Sequence, residues 1–400
     1  MSWFKLARAI YQKTKRSLEW PVFIIFDYLA LAWIKPRRST NPKTAIVHLG
    51  LLGDFFIWLP YGQAMTRKMA ANSESEIVII VERQLAELAK ATLSEHAVFP
   101  VSRREFLRSP LVRWRTLRAL RKLGVHACFH PGAPRDALLQ DAIVHALGVP
   151  ALGFDSVFQD RPCVDTAISQ RFYRHLLPDQ PNVHQQVRYR YFLDAIGVPS
   201  VHPAVLPAHR RPMKEKAYII IAPSGSRAFR QWPAENFAEL AQRLLLRYPD
   251  WNCVVVGSKN DYALADRVRG LIGGSTENLC GQTRILELCA WIEHAQLVIC
   301  NDSAPGHIAA AYGTPSLVIT GGGHWQRCYP YDEGEAPIRS RPLAVSNPMP
   351  CFGCNWLCLY SLRDRLPFPC ISAVTVEAAW QQLQRHLPWL ATEEPMLDVL

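Results

Sequence analysis

The chain has 400 residues, 49% of them hydrophobic, which is enough for two domains of ordinary size with their own cores. Its 45 Lys and Arg against 34 Asp and Glu give a formal net charge of +11, which favours anionic partners. Because no helix-turn-helix, zinc-finger or RNA-binding signature accompanies that charge, we do not expect nucleic acid among the partners. The 11 Cys are an odd number, and six of the first seven stand in apolar stretches, typical of reduced thiols in a reducing compartment: Cys128, Cys163, Cys253, Cys280, Cys289 and Cys300.

Residues 1–40 form a basic amphipathic segment around the apolar stretch 20–34. This stretch is too short for a membrane span and includes Pro21 and Asp27, and no small-residue cleavage site follows it. Two interpretations stand side by side: a helix on an anionic membrane surface, or a helix packed on the protein's own surface.

After that segment, strands and helices alternate, which predicts parallel sheets in two α/β halves. The first half, residues 41–205, has strands expected at 44–49, 76–81 and 127–130 and helices expected at 54–68, 111–123 and 136–147. The stretch 199–216, rich in Pro and Arg, is the candidate linker. The second half, residues 213–375, has strands expected at 218–222, 253–256, 297–300 and 316–319 and helices expected at 234–246, 261–271 and 285–294. Residues 376–400 are expected to be a C-terminal helix and tail.

The most informative stretch is 301–315, where a buried strand runs into a polar turn that opens a helix. Asp302 or Ser303 can cap that helix, and Pro305 suits its first turn. The backbone N–H groups of a helix start attract phosphate, and His307 follows about one turn later. The turn therefore predicts a phosphate site, although a well-capped helix without a ligand fits it as well.

Several motifs occur together and in order. Residues 50–54 form a glycine-containing turn followed by Pro60, residues 223–226 lead to 230–233, and Asp261 follows 256–257. Residues 279–283 and 301–315 complete the set. In this combination the chain resembles glycosyltransferase family 9, the lipopolysaccharide heptosyltransferase family, over residues 44–380.

The resemblance implies an α/β protein of two facing Rossmann-like domains, the GT-B arrangement, here with a helical N-terminal extension. The first domain would take the acceptor and the second the nucleotide-sugar. The family's reaction is an inverting, metal-independent transfer, usually of heptose from ADP-heptose to a glycolipid of the lipopolysaccharide core. The resemblance thus implies a cytoplasmic enzyme, peripheral on the inner membrane of a Gram-negative bacterium.

The resemblance assigns the general base to Asp54, in the turn that also includes Gly50 and Gly53. An inverting transfer needs a group, often a carboxylate, that takes the proton of the acceptor hydroxyl. From the residues alone, Asp54 as a cap of the following helix is the other interpretation.

The same resemblance assigns donor binding to a second group of residues: Ser224, Gly225, Ser226, Arg230, Asp261, Asp302, Ser303, Ala304, Gly306 and His307. Arg230 stands where the family often has Lys, and Ala304 where it commonly has Gly. Each residue also has a purely structural interpretation, such as a surface arginine, a helix cap or a histidine satisfied within its helix.

Cys351, Cys354, Cys358 and Cys370 have a spacing that can bind zinc or an iron–sulfur cluster, and reduced thiols or disulfides are the alternative. Two other functions remain open: a sugar-nucleotide epimerase on the same fold, and a non-catalytic binding protein with a metal-stabilised docking surface. The transferase is favoured because both the turn at Asp54 and the turn at Asp302 are present.

Overall fold

The structure is a computed structural model. It describes residues 22–35, 41, 43–72, 75–156, 168–179, 183–210, 216–225, 227–331, 337–360 and 366–391. The chain divides into two compact units, the first comprising residues 1–51, 61–181 and 188–200 and the second residues 52–60, 182–187 and 201–400. Ser226, Cys163 and most of the basic N-terminal segment lie outside the described residues.

The first unit is built on a six-stranded sheet in which every described pairing is parallel. Its strands are β1 (Lys43–His48), β2 (Glu76–Glu82), β3 (Ala97–Val101), β4 (Val125–Phe129), β5 (Ala151–Asp155) and β6 (His175–Pro178), in the order β3-β2-β1-β4-β5-β6. The central strand β1 is buried along nearly its whole length, because a parallel sheet with helices on both faces has no solvated side.

The helices of this part of the chain are 22–32, Leu52–Asn72, Ala86–Thr92, Arg103–Arg108, Pro110–Arg121, Ala142–Leu147 and Gln185–Ala195. The helix expected over 136–147 is interrupted, since Ala137–Asp141 forms a π-helical turn before the α-helix begins. Asp136 caps that turn by accepting a hydrogen bond from the N–H of Leu138 at 3.0 Å.

The second unit repeats the plan with β7 (Tyr218–Ala222), β8 (Asn252–Val255), β9 (Thr276–Asn278), β10 (Leu297–Asn301), β11 (Ser316–Ile319) and β12 (Leu343–Val345). Their order is β12-β11-β10-β7-β8-β9, again parallel throughout. The helices of this half are Ala234–Arg247, Tyr262–Ile272, Ile285–Glu293, Ala304–Tyr312, Pro369–Ser372, Val376–His386 and Pro388–Ala391. The two Rossmann-like sheets confirm the predicted α/β fold class.

Each unit has its own hydrophobic core. In the second unit the inward faces of β7 and β10 pack against Phe237 of helix Ala234–Arg247 and against helix Val376–His386. In the first unit Val47 of β1 packs with Leu117 and Ile143 of the covering helices. The five cysteines predicted to be buried that lie in the described residues are all buried and free.

Helix 22–32 docks on the first unit through a buried ion pair. The guanidinium of Arg113 donates to both carboxylate oxygens of Asp27, at 2.6 and 2.5 Å. The opposite side of the helix exposes an apolar stripe, defined here as Val22, Ile25, Leu29 and Trp33. No helix within the described ranges is long and apolar enough to cross a membrane.

Candidate active site

The start of helix Ala304–Tyr312 lies directly after β10, at the carboxyl end of the second sheet. Pro305 stands in the first turn as predicted, but the predicted side-chain cap is absent. Ser303 Oγ donates instead to the carbonyl oxygen of Asn301 at 3.1 Å, and the Asp302 carboxylate accepts from Arg230. Because no side chain caps it, this helix start leaves its first backbone N–H groups without a capping side chain, a condition that suits an anion.

Asn301 connects three segments of the site and is fully buried. Its side-chain oxygen accepts from the N–H of Trp232 at 2.9 Å, and its nitrogen donates to the carbonyl oxygen of Pro223 at 2.7 Å. These bonds fix the turn at Ser224 and Gly225, and the segment beginning at Arg230, against the end of β10. Three of the segments predicted to bind donor are therefore brought together, although they are far apart in sequence.

The side chain of Arg230 lies at the same end of β10. Its guanidinium donates to the Asp302 carboxylate at 2.7 Å, and both side chains are largely buried. The guanidinium also lies over the indole ring of Trp356, with Cζ 4.6 Å from the ring centroid. The predicted phosphate contact is thus held beside the uncapped helix start.

Asp54 lies in the first turn of helix Leu52–Asn72 and is half-buried. Residues 52–60 belong to the second unit, so this turn and helix Ala304–Tyr312 are in one compact body. A Cβ atom built on Gly53 would lie 3.5 Å from Cα of Ala304 and 2.9 Å from Cδ2 of His307. The predicted base therefore stands next to the predicted diphosphate seat, while Gly50 links β1 to the helix.

His307 is enclosed rather than open to solvent. Its Nδ1 lies 2.7 Å from the hydroxyl of Tyr331, and its ring stacks on Tyr329 with centroids 4.5 Å apart. Burial lowers the pKa of His307 to about 3, so the imidazole is neutral at pH 7. In this structure His307 supports the Gly53 turn, and a contact with a ligand stays a prediction. Gly306, in the same helical turn, is needed because a Cβ there would press on Tyr329.

Cys328 marks the point where the charged groups converge. Burial raises the pKa of its thiol, and the nearby carboxylates of Asp302 and Asp54 raise that pKa further, whereas Arg327 and Arg230 lower it. All four charged groups therefore lie within electrostatic range of this half-buried cysteine. Sequence reasoning missed this residue, because no motif marks a lone cysteine on a loop.

His184 is a second residue that the sequence did not reveal. Its Nδ1 accepts from the N–H of Gln186 at 3.2 Å, so its Nε2 carries the hydrogen and donates to the carbonyl oxygen of Cys328 at 2.9 Å. The ring also lies against Tyr331, with centroids 5.3 Å apart. His184 thus connects the loop after β11 to a segment in which the sequence shows no motif.

Asp261 has a structural partner within its own turn. Its carboxylate accepts from the N–H and the hydroxyl of Ser258, at 2.8 and 2.5 Å, which forms a capping box ahead of helix Tyr262–Ile272. Asp261 occupies the N-cap position of helix Tyr262–Ile272, but its carboxylate makes no capping hydrogen bond to that helix. A nucleoside contact by Asp261 stays a prediction.

The four C-terminal cysteines lie near one another, since Cys351, Cys354 and Cys358 each raise the pKa of Cys370, which burial raises most. Even so, no group of three or more His, Cys, Asp or Glu among the described residues is arranged to hold a metal ion. The aromatic residues of this loop, Phe352 and Trp356, pack instead on the glycines 321–323.

The two six-stranded parallel sheets define an α/β fold of two Rossmann-like units, and solved glycosyltransferase structures share this fold. The structure of the E. coli ADP-heptose lipopolysaccharide heptosyltransferase II aligns with a TM-score of 0.60 and 14% identity, over 88% of this chain and 100% of that chain. The iron-containing dodecameric glycosyltransferase TibC from enterotoxigenic E. coli H10407 aligns with a TM-score of 0.53 and 16% identity, over 88% and 78%. At these identities the likeness concerns the fold.

Residues 173–352 match the family model for glycosyltransferase family 9 (heptosyltransferase). Lipopolysaccharide heptosyltransferase 3 of Escherichia coli (strain K12) is 37% identical over 105 residues, which is 26% of this chain and 30% of that protein. Together these findings support membership of the chain in glycosyltransferase family 9. The chain spans about a third of the length of the curated relatives it matches.

Proposed function

We propose that this protein is an inverting glycosyltransferase that moves a sugar from a nucleotide-sugar to a glycolipid acceptor. The observation that carries the proposal is the approach of the Gly53–Asp54 turn to the start of helix Ala304–Tyr312. This approach sets a carboxylate beside a site suited to a diphosphate, which is the arrangement that transfer from a nucleotide-sugar requires.

In this reaction the acceptor hydroxyl oxygen attacks the anomeric carbon while the Asp54 carboxylate takes the hydroxyl proton. A new C–O bond forms, the bond between the anomeric carbon and the phosphate oxygen breaks, and nucleoside diphosphate leaves. Arg230 and the uncapped N–H groups of the helix start offset the negative charge that develops on the leaving diphosphate. The hydroxyl of Ser224 and the backbone N–H groups of Gly225 and Ser303 supply further donors to the same group.

The donor is proposed to be ADP-heptose, because the matched relatives are named as heptosyltransferases and the aligned E. coli enzyme is named as an ADP-heptose heptosyltransferase. The acceptor is proposed to be a lipopolysaccharide core glycolipid for the same reason. In the domain assignment proposed here, residues 41–205 hold the acceptor and residues 213–375 hold the donor.

The protein is proposed to act at a membrane surface, on the cytoplasmic side of the inner membrane. The apolar stripe on helix 22–32 supports this, because it exposes four large hydrophobic side chains on a helix whose other side is fixed by the Asp27–Arg113 pair. The net charge of +11 adds attraction to anionic lipid.

The proposed chemistry needs no metal, because Asp54 and Arg230 supply the base and the counter-charge. A structural metal at Cys351, Cys354, Cys358 and Cys370 stays a prediction. TibC, which shares the fold, is named as an iron-containing protein, and this supports a metal. The arrangement of the four thiols does not support one. Elemental analysis of the purified protein, compared with Cys351→Ser, tests it directly.

The first test of the function is binding of a panel of nucleotide-sugars to the purified protein, followed by thermal shift. Selective stabilisation by ADP-heptose over UDP- and GDP-sugars supports the heptosyltransferase. Selective stabilisation by a different nucleotide-sugar keeps the transferase and changes the donor. If no member of the panel, ADP included, stabilises the protein, the proposed function is wrong.

A further inference from the structure

Trp356 adopts a backbone conformation that a large side chain rarely takes. Its φ is 63°, and that of the preceding Asn355 is 48°, so two consecutive residues lie in the left-handed region. Neither is glycine, and for a bulky residue this conformation is unfavourable. Such strain persists where the surrounding structure determines the side chain's position, and it is concentrated at functional sites.

In this conformation the indole fits closely against its neighbours. A Cβ atom on Gly323 would overlap the indole, and one on Gly321 would lie 3.1 Å from it. The glycines 321–323 therefore leave space that Trp356 fills. On other sides the ring meets Phe229, at 5.6 Å between centroids, and the edge of His324, also at 5.6 Å.

The indole interacts through the face of its ring and not through its N–H group. Its Nε1 is buried and has no hydrogen-bond partner among the described residues, an unfavourable state for a polar atom. Its ring face, in contrast, carries the guanidinium of Arg230 at 4.6 Å. Since that guanidinium is largely buried, the attraction between cation and ring is stronger than it would be at an exposed site.

Arg230 is thus held by two groups of different kinds. The Asp302 carboxylate fixes one end of the guanidinium by a hydrogen bond of 2.7 Å, and Trp356 supports its flat face. Stacking occupies the face of a guanidinium and leaves its N–H donors, which lie in the plane, for hydrogen bonds. A lysine in the same place would lack this planar contact.

We propose that Trp356 is a positioning residue that holds Arg230 in the orientation in which it contacts the donor diphosphate. The inference rests on the proposed function and adds to it a specific dependence of donor affinity on the loop 351–358. Trp356 itself touches neither donor nor acceptor, and acts through Arg230.

A double-mutant cycle tests the proposal, with ADP affinity measured by calorimetry for the wild-type protein, Trp356→Leu, Arg230→Gln and the double variant. Trp356→Leu is expected to weaken ADP binding about tenfold, and Trp356→Phe, which keeps an aromatic face, about threefold. In the Arg230→Gln background Trp356→Leu is expected to have no further effect, because the residue through which it acts is gone. Trp251→Leu is the matched control, since Trp251 stacks on Tyr248 instead of Arg230.

Three outcomes overturn the inference in distinguishable ways. If Trp356→Leu weakens ADP binding equally with and without Arg230, the residue has only a structural role. If wild-type protein binds ADP and both Trp356 variants bind it equally well, positioning by Trp356 is wrong and the proposed function stands. If wild-type protein binds none of ADP, UDP and GDP, the proposed function fails and the positioning role fails with it. Because Trp356→Phe retains most of the packing volume, it keeps the test valid should Trp356→Leu not fold.

Discussion

Gly53 lies against the imidazole of His307, so closely that a Cβ atom at position 53 would stand 2.9 Å from Cδ2 of the ring. The ring cannot move aside easily, because Tyr331 holds its Nδ1 at 2.7 Å and Tyr329 stacks on its face. This contact, between residues far apart in sequence, sets the start of helix Leu52–Asn72 beside the start of helix Ala304–Tyr312.

Replacing Gly53 by Ala is expected to destabilise the protein by about 1–3 kcal/mol, the usual cost of overpacking a closed site. Transfer activity should fall as well, because the turn that carries Asp54 is displaced. The matched control is Gly270→Ala in helix Tyr262–Ile272, where an added Cβ meets nothing within 4 Å. That control is expected to stabilise the protein by about 0.5–1 kcal/mol. Denaturant titrations measure both, and a Gly53→Ala variant as stable and active as wild type contradicts the prediction.

Asp54→Asn is expected to lower the rate of transfer by about 100- to 10,000-fold and to leave donor binding intact, because the amide cannot accept the hydroxyl proton. Steady-state kinetics with donor and acceptor, combined with calorimetric donor binding, separate the two effects. A variant that transfers sugar at the wild-type rate would show that Asp54 only supports the helix start.

Asn301→Ala is expected to destabilise the protein by about 2–4 kcal/mol, since it leaves the carbonyl of Pro223 and the N–H of Trp232 buried without their partner. Donor affinity should fall as well, because the turn at Ser224 loses its anchor. Asn301→Asp keeps the acceptor for Trp232 but turns a buried carboxylate oxygen towards the carbonyl oxygen of Pro223, so it should also destabilise the protein and weaken donor binding. Equal donor affinity in all three proteins would show that this anchor does not shape the site.

Acid is expected to destabilise the fold well before its carboxylates are protonated. Burial lowers the pKa of His48, His130 and His307 to about 3. As the pH falls below 6.5 the unfolded chain binds protons on these rings and the folded chain does not, so the free energy of unfolding decreases down to about pH 3. One pH unit below 6.5, each ring accounts for about 1.4 kcal/mol. Denaturant titrations at pH 7.5 and 5.5 measure this loss, and the pH dependence should be shallower in His130→Asn.

Leu29→Glu, in the apolar stripe of helix 22–32, is expected to reduce binding to vesicles that contain anionic lipid by several-fold without changing thermal stability, because it places a charge on the proposed membrane-facing side. Leu246→Glu is the control, since Leu246 is 82% exposed on a helix of the second unit. If both variants bind vesicles as wild type does, the stripe is not a membrane contact.

The strands that were predicted and those that were missed differ in where they lie. The seven predicted ones, such as β1, β7 and β10, are all interior strands and are rich in apolar residues. Four of the five missed ones, β3, β6, β9 and β12, are edge strands, and the fifth, β5, is next to an edge. An edge strand such as Thr276–Asn278 is short and partly solvated, so its sequence lacks the periodicity that marks a strand.

The α/β class, the two halves and the turns at Asp54 and Asp302 could be predicted from the sequence, because those features depend on local propensity and on hydrophobic patterns along neighbouring residues. The contacts that each turn makes became clear only from the folded chain. Folding paired Asp302 with Arg230 where a helix cap was expected, enclosed His307 beneath Gly53, and brought Cys328, His184 and Trp356 to the site. Such contacts join residues remote in the chain, and their energy comes from packing and burial that no local pattern records.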